Sequence, residues 1–246
     1  MNETTRAKLQ RVSTATLATA LFKRGLRQQI IQDVHPLRAP TESMPAKNMP
    51  AKNMVGPAYT LRYIPAREDL NGIEAFRDRA HPQRVAVEQC PAGAVLVIDS
   101  RKSALAASAG GILVTRLMVR GVAGIVTDGG LRDSAEIAML GIPAYHQRPS
   151  APTNLTLNQA VDIDVPIGCG DAPVWPGDII VGDADGVIVI PAGIADAIAD
   201  EAMEMTAFED FVTERVRGGQ SILGLYPPTD EANLVAFKAW RERTGR

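Results

Sequence analysis

Two glycine pairs frame the residues of this chain best suited to chemistry. The first lies in Ala107-Ser-Ala-Gly-Gly-Ile-Leu113 and the second in Thr127-Asp-Gly-Gly-Leu-Arg-Asp-Ser134. Gly110 and Gly111 open a helical stretch, so backbone N–H groups there can face an anion with no side chain in the way. Gly129 and Gly130 permit a sharp turn after a strand, which can aim Arg132 and Asp133 back at the same cleft. Arginine offers a planar fork for a carboxylate or enolate, and aspartate a hard oxygen for a divalent cation. The second run also reads as a turn and a helix cap, with Asp133 or Ser134 serving the first N–H groups of the next helix. On the residues alone both readings stand.

Other reactive side chains are weaker candidates. Lys102 follows a strand and could form a Schiff base, but an exposed loop cation or a substrate-carboxylate contact is the simpler reading. Asp99 and Asp128 end neighbouring strands, where caps or supporting groups are expected. Asp183 and Asp185 in Gly182-Asp-Ala-Asp-Gly186 lack the rest of a calcium-loop pattern and read as a tight turn. His35, His81 and His146 show no metal-ligand spacing, and only His146 is placed near a cleft. Cys90 and Cys169 are too few for a disulfide framework or a multi-cysteine metal site and read as buried thiols. Gly168-Cys-Gly170 lacks the strand, third glycine and helix of a dinucleotide fingerprint.

The elements that must position these groups alternate in a β/α rhythm. One helix is expected across 5–23, with Gly25 as its stop, and after it a proline-rich passage holding the direct repeat Met44-Pro-Ala-Lys-Asn48 and Met49-Pro-Ala-Lys-Asn53. That repeat reads as a duplicated, disordered surface loop. Strands are expected at 58–64, 94–99, 124–128 and 143–146, alternating with helices at 85–89, 110–120 and 134–140. Such alternation delivers polar groups at strand ends of an α/β core. Short β segments at 161–165, 178–181 and 186–190 suggest a second layer. Pro191 is expected to open a long helix to about Arg217 from the first helical position. Residues 225–230 read as extended, and 232–243 as a final helix.

With 246 residues the chain can bury a large core, and one domain over 1–246 is expected. Aromatic residues are only 4%, so that core must rest on Ala, Val, Ile and Leu. A formal charge of -2 gives no broad attraction for nucleic acid or anionic membrane. No signal-like or membrane-spanning run stands out, so a cytoplasmic protein is expected.

The order of Ser13-Thr-Ala-Thr-Leu17, Gly56-Pro-Ala-Tyr-Thr60, Val95-Leu-Val-Ile-Asp99, the glycine-opened helix and Asp128-Gly-Gly-Leu-Arg-Asp133 resembles the RraA-like family. The similarity runs from about Val12 to Ala192, and Gly110 to Asp133 is its most diagnostic part. That family includes divalent-metal aldolases acting on 4-hydroxy-4-methyl-2-oxoglutarate and 4-carboxy-4-hydroxy-2-oxoadipate, often with oxaloacetate decarboxylase activity. It also includes proteins that bind and inhibit ribonuclease E.

The resemblance implies a layered α/β/β sandwich of the swivelling β/β/α type, with a core at about 12–192, an N-terminal helix at 5–23 and a C-terminal helical extension at 191–246. It places a substrate-binding loop on Gly110, Gly111, Ile112 and Leu113. It makes Arg132 and Asp133 catalytic, Arg132 also substrate-binding, and Asp133 the ligand of Mg²⁺ or Mn²⁺. It implies a small 2-oxo acid as substrate, pyruvate as product, and a homotrimer or hexamer in which a neighbouring chain completes each site. Ribonuclease E is the partner under the alternative, regulatory reading. Two positions depart from the family: Gly111 stands where many members carry an acidic residue, and Thr19 where many carry an aspartate in the first helix.

Overall fold

The computed structural model describes residues 1–37 and 52–246. The direct repeat lies outside the described residues except at its end, where the Asn53 side chain donates to Leu9 O and Val12 O. Those bonds mark the first difference from expectation. Two helices, α1 (Glu3–Leu9) and α2 (Thr14–Phe22), replace a single one across 5–23. Ser13 accepts from Thr16 N, and Asp183 takes Thr14 N at 2.7 Å, so a new helix start outcompetes continuation.

Short strands β1 (Ile30–Ile31) and β2 (His35–Pro36) precede β3 (Met54–Pro65), a twelve-residue strand that organises the main sheet. Then come α3 (Pro82–Gln89), β4 (Val95–Asp99), β5 (Ala107–Ala109), α4 (Gly111–Val119), β6 (Gly124–Thr127), β7 (Gly130–Leu131), α5 (Ser134–Ala138), β8 (Ala144–His146) and β9 (Arg148–Pro149). The chain continues through β10 (Asn158–Ile163), β11 (Ile167–Cys169), β12 (Ala172–Val174), β13 (Ile179–Gly182), β14 (Val187–Ile190), α6 (Ala195–Arg217) and α7 (Glu231–Thr244).

The main sheet runs β1-β14-β13-β3-β4-β6-β8-β2, with β10 pairing the far end of β3. β3, β4, β6 and β8 are parallel neighbours. Alternation along β4 divides the core: Leu96 and Ile98 face α3, α4 and α5, while Val95 and Val97 face the β11–β12 hairpin. β13 and β14 repeat the device, sending Ile179, Val181, Ile188 and Ile190 against α1, α2 and α6. An aromatic cluster of Phe208, Phe211, Phe237 and Trp240 joins α6 to α7.

Two expectations near the C-terminus are corrected. Pro191 does not begin the long helix: a 3-10 turn at Ala192–Ile194 intervenes and α6 starts at Ala195. Residues 223–228 are turns rather than an extended segment, closed by the Leu225 and Tyr226 N–H groups on Ile222 O.

Candidate functional site

The parallel strands β4 and β6 end side by side, and the loops leaving their C-terminal ends build the site. Three hydroxyls weld these ends together: Ser100 Oγ and Ser108 Oγ are 2.6 Å apart, and Ser108 Oγ and Thr127 Oγ1 also 2.6 Å. Asp128, fully buried, accepts from the backbone N–H groups of Ser100, Lys102 and Gly170. Burial pushes its carboxyl above the usual range, against the pull of those three bonds. It therefore braces the turn and lies outside the cavity wall, as does Asp99, which accepts from Arg101 N.

A three-stranded sheet of its own carries the two glycine runs. β7 sits between β5 and β9, and Arg132 N donates to Ala109 O at 3.1 Å. The Arg132-Asp133 corner is thereby docked on the Gly110-Gly111 corner. A Cβ on Gly110 would lie 2.7 Å from Arg132 Cγ and 2.9 Å from Asp133 Oδ2, which is why glycine stands there. Gly111 is less crowded, its Cβ position being 3.3 Å from both Asp133 Cβ and Glu136 Oε2.

The Asp133 side chain does not cap the helix that follows it. The residue occupies the N-cap position of α5 with left-handed backbone, φ 57°, yet its side chain makes no bond to α5. Oδ2 instead accepts from Gly111 N at 3.0 Å, at the N-terminus of α4, with Arg132 Nε 3.4 Å away. A non-glycine residue in that region costs on the order of 1–3 kcal/mol, so the fold spends stability to turn this carboxylate away from its own helix. The finding also corrects one expectation: the Gly111 N–H is occupied by the protein's own carboxylate rather than left open for a bound anion.

Arg132, Asp133, Gly110, Ile112 and Leu113 all line one cavity of about 550 Å³. Gly111 is buried behind it, and Ile112 is 86% exposed at its rim. The rest of the lining includes Ile73, Phe76, Gln83, Arg84 and Asn154, from parts of the chain with no motif. Gln83 Nε2 reaches Ser108 O at 2.7 Å and Tyr63 OH at 2.9 Å, and Tyr63 OH donates to Ser108 O, holding the backbone two residues before Gly110. Nothing in the sequence flags this role of Gln83, because Tyr63 and Ser108 are 20 or more positions away.

The remaining candidates lie elsewhere. Lys102 pairs with Asp171. Asp183 caps α2, and its turn is closed by Asp183 N on Gly186 O. His146 stands across from His35 in the β2–β8 pair. Cys90 and Cys169 are buried, and burial pushes the Cys90 thiol up to about 12.

The donors that the Asp133 corner offers are hard oxygens. Among the described residues no group of three or more His, Cys, Asp or Glu could hold a metal ion, which rules against a cage made wholly of those side chains. Asp133 and the nearby Glu136 carboxylate are hard oxygens open to solvent, which suits Mg²⁺ or Mn²⁺ held through carboxylate and water.

The RraA-like family model, described as Aldolase/RraA, matches residues 14–189. The chain belongs to the RraA-like family. A relative from Halalkalibacterium halodurans, provisionally named a 4-hydroxy-4-methyl-2-oxoglutarate aldolase, is 35% identical over 161 residues, covering 65% of this chain and 70% of its own. The structure of Streptomyces coelicolor RraAS2, described as an unusual member of the RNase ES inhibitor RraA protein family, superposes with a TM-score of 0.72 at 29% identity, covering 86% of this chain and 96% of that one. An uncharacterized Pseudomonas syringae pv. tomato protein shares the fold, with a TM-score of 0.75 at 20% identity over 92% of this chain and 94% of that one. The layered α/β architecture with a curled sheet is thus the RraA-family fold. None of the described helices is long and apolar enough to cross a membrane.

Proposed function

We propose that this RraA-like chain is a class II, metal-dependent pyruvate aldolase. It cleaves a C–C bond of a 4-hydroxy-2-oxo acid to release pyruvate, and it decarboxylates oxaloacetate as a second reaction. The observation that carries this reading is the Asp133 carboxylate, turned from its own helix onto Gly111 N–H beside the Arg132 guanidinium at a cavity wall.

Mg²⁺ or Mn²⁺, held by Asp133 with water, would supply Lewis-acid charge to the 2-oxo group. Arg132 receives the substrate carboxylate and faces the atoms that gain negative charge. As the C3–C4 bond breaks, its electron pair flows into the pyruvate enolate while C4 becomes a carbonyl. The 4-hydroxyl proton passes to water, and the enolate takes a proton at C3. Arg132 favours the enolate over the neutral ketone, which is the differential binding that lowers a barrier. Loss of CO₂ from oxaloacetate leaves the same enolate, so one site serves both reactions. Homotrimer or hexamer assembly belongs to the same proposal and rests on membership of the RraA-like family.

The test is pyruvate release by the purified full chain from 4-hydroxy-4-methyl-2-oxoglutarate and from oxaloacetate, with Mg²⁺ or Mn²⁺ and then with EDTA. Turnover that EDTA abolishes is expected. No metal-dependent turnover on any of a panel of 4-hydroxy-2-oxo acids removes the reading. The likeness to RraAS2 favours one alternative, a regulator that binds ribonuclease E. A stoichiometric complex in a pull-down, together with catalytic silence, would establish it in place of the enzyme.

A further inference from the structure

The register of the main sheet joins two histidines that lie far apart in the sequence. β2 and β8 run antiparallel, and His35 stands directly opposite His146. Opposed residues of such a pair project from the same face with Cβ atoms about 4.5–5.5 Å apart. Two imidazoles at that spacing can reach one ion, since their nitrogens bind Zn²⁺ at about 2.0–2.1 Å. His35 is exposed, whereas His146 is only 5% exposed. Nδ1 of His146 is buried with no hydrogen-bond partner, a deficit that a ligated cation removes. Burial, and next to it the charge of His35, hold His146 below the usual histidine value. At neutral pH its ring is therefore the unprotonated form that a cation requires. Two protein ligands with water in the other positions make an open site. Such a site needs no cluster of three or more His, Cys, Asp or Glu, and none able to hold a metal is found among the described residues.

We propose that His35 and His146 form a two-histidine site for a borderline divalent cation, Zn²⁺ or Cu²⁺, which clamps the edge strand β2 to β8. Imidazole favours these ions, whereas the Asp133 corner offers hard oxygens suited to Mg²⁺ or Mn²⁺, so the two places sort cations by type. β2 is short, with only His35 and Pro36 in register with β8, and a bridging ion adds a cross-link that the ladder lacks. β8 leads straight to the turn that carries Arg132, Gln147 N donating to Gly129 O at 2.9 Å. The clamp stands whether or not the Asp133 corner is catalytic.

The experiment is calorimetric titration of the untagged full chain with ZnCl₂ near neutral pH in excess Mg²⁺, with thermal melts in the presence and absence of Zn²⁺. The native protein is expected to bind one Zn²⁺ per chain at this pair and to melt at a higher temperature with it. His35→Asn changes an exposed side chain and should melt as the native protein does without Zn²⁺. It is expected to weaken Zn²⁺ binding about tenfold or more and to abolish the thermal shift. Asp133→Asn is expected to keep both. With Cu²⁺ as probe, electron paramagnetic resonance should show coupling to two imidazole nitrogens in the native protein and to one in His35→Asn. Absence of Zn²⁺ binding, affinity unchanged in His35→Asn, or binding lost in Asp133→Asn but kept in His35→Asn overturns the assignment.

Discussion

At the scale of the residue, the site depends on contacts that leave no room for a methyl group at one glycine and some at the next. Gly110→Ala pushes against the Arg132 side chain at 2.7 Å, so turnover is expected to fall about 100-fold, as for a displaced catalytic group. Gly111→Ala meets Asp133 and Glu136 only at 3.3 Å and should keep activity within about fivefold, measured as pyruvate release at saturating substrate. Asp133→Asn preserves an acceptor for Gly111 N–H but removes the charge. Its melting temperature should match the native protein's while metal-stimulated turnover drops about 100-fold or more. A loss of folding in that variant would mean that the carboxylate is structural. The pairing of Gly110-Gly111 with Arg132-Asp133 was legible in the sequence as one of two readings, the other being a glycine turn followed by a helix cap. That Asp133 reaches α4 rather than capping α5 was not, since spacing shows where a side chain starts and not which way it turns. Gln83 was invisible for a related reason: its partners Tyr63 and Ser108 are brought near only by the folded chain.

Among the elements, the parallel strands and their helices were readable because apolar runs such as Val95 to Ile98 are buried on both faces and need no alternation of polarity. Strands of two or three residues, β5, β7 and β9 among them, were not, because runs that short carry no period. Yet these hold the site in register. The break between α1 and α2 was missed for another reason: its strongest anchor, Asp183, lies far along the chain. Asp183→Ala removes acceptors for Thr14 N and Thr14 Oγ1 and is expected to cost about 1–2 kcal/mol, read from denaturant unfolding, with kcat unchanged. A fall in kcat without loss of stability would instead give this aspartate a part in the chemistry.

For the whole molecule, pH acts through groups whose burial differs most between the folded and unfolded chain. Burial holds His81 and His146 below the usual histidine value, so in the unfolded chain they take up protons first as the pH falls. Stability is therefore expected to decline as the pH drops below about 6.5, and His146→Phe should flatten part of that decline in a series of thermal melts. Asp99 and Asp128, whose carboxyls burial raises, work in the opposite sense and offset the loss at lower pH. A melting temperature that rises steadily from pH 6.5 to 5.5 would contradict the histidine account. The packing of α1 and α2 against α6 bears on how the molecule is made. Thr5 bonds Asp196 and Thr16 bonds Glu209, pairs separated by 191 and 193 positions. On the ribosome the first helices emerge long before the helix that covers them. Their apolar faces must wait while the intervening stretch of 191 to 193 positions is made, and the core cluster they share with α6 closes only after α6 has emerged.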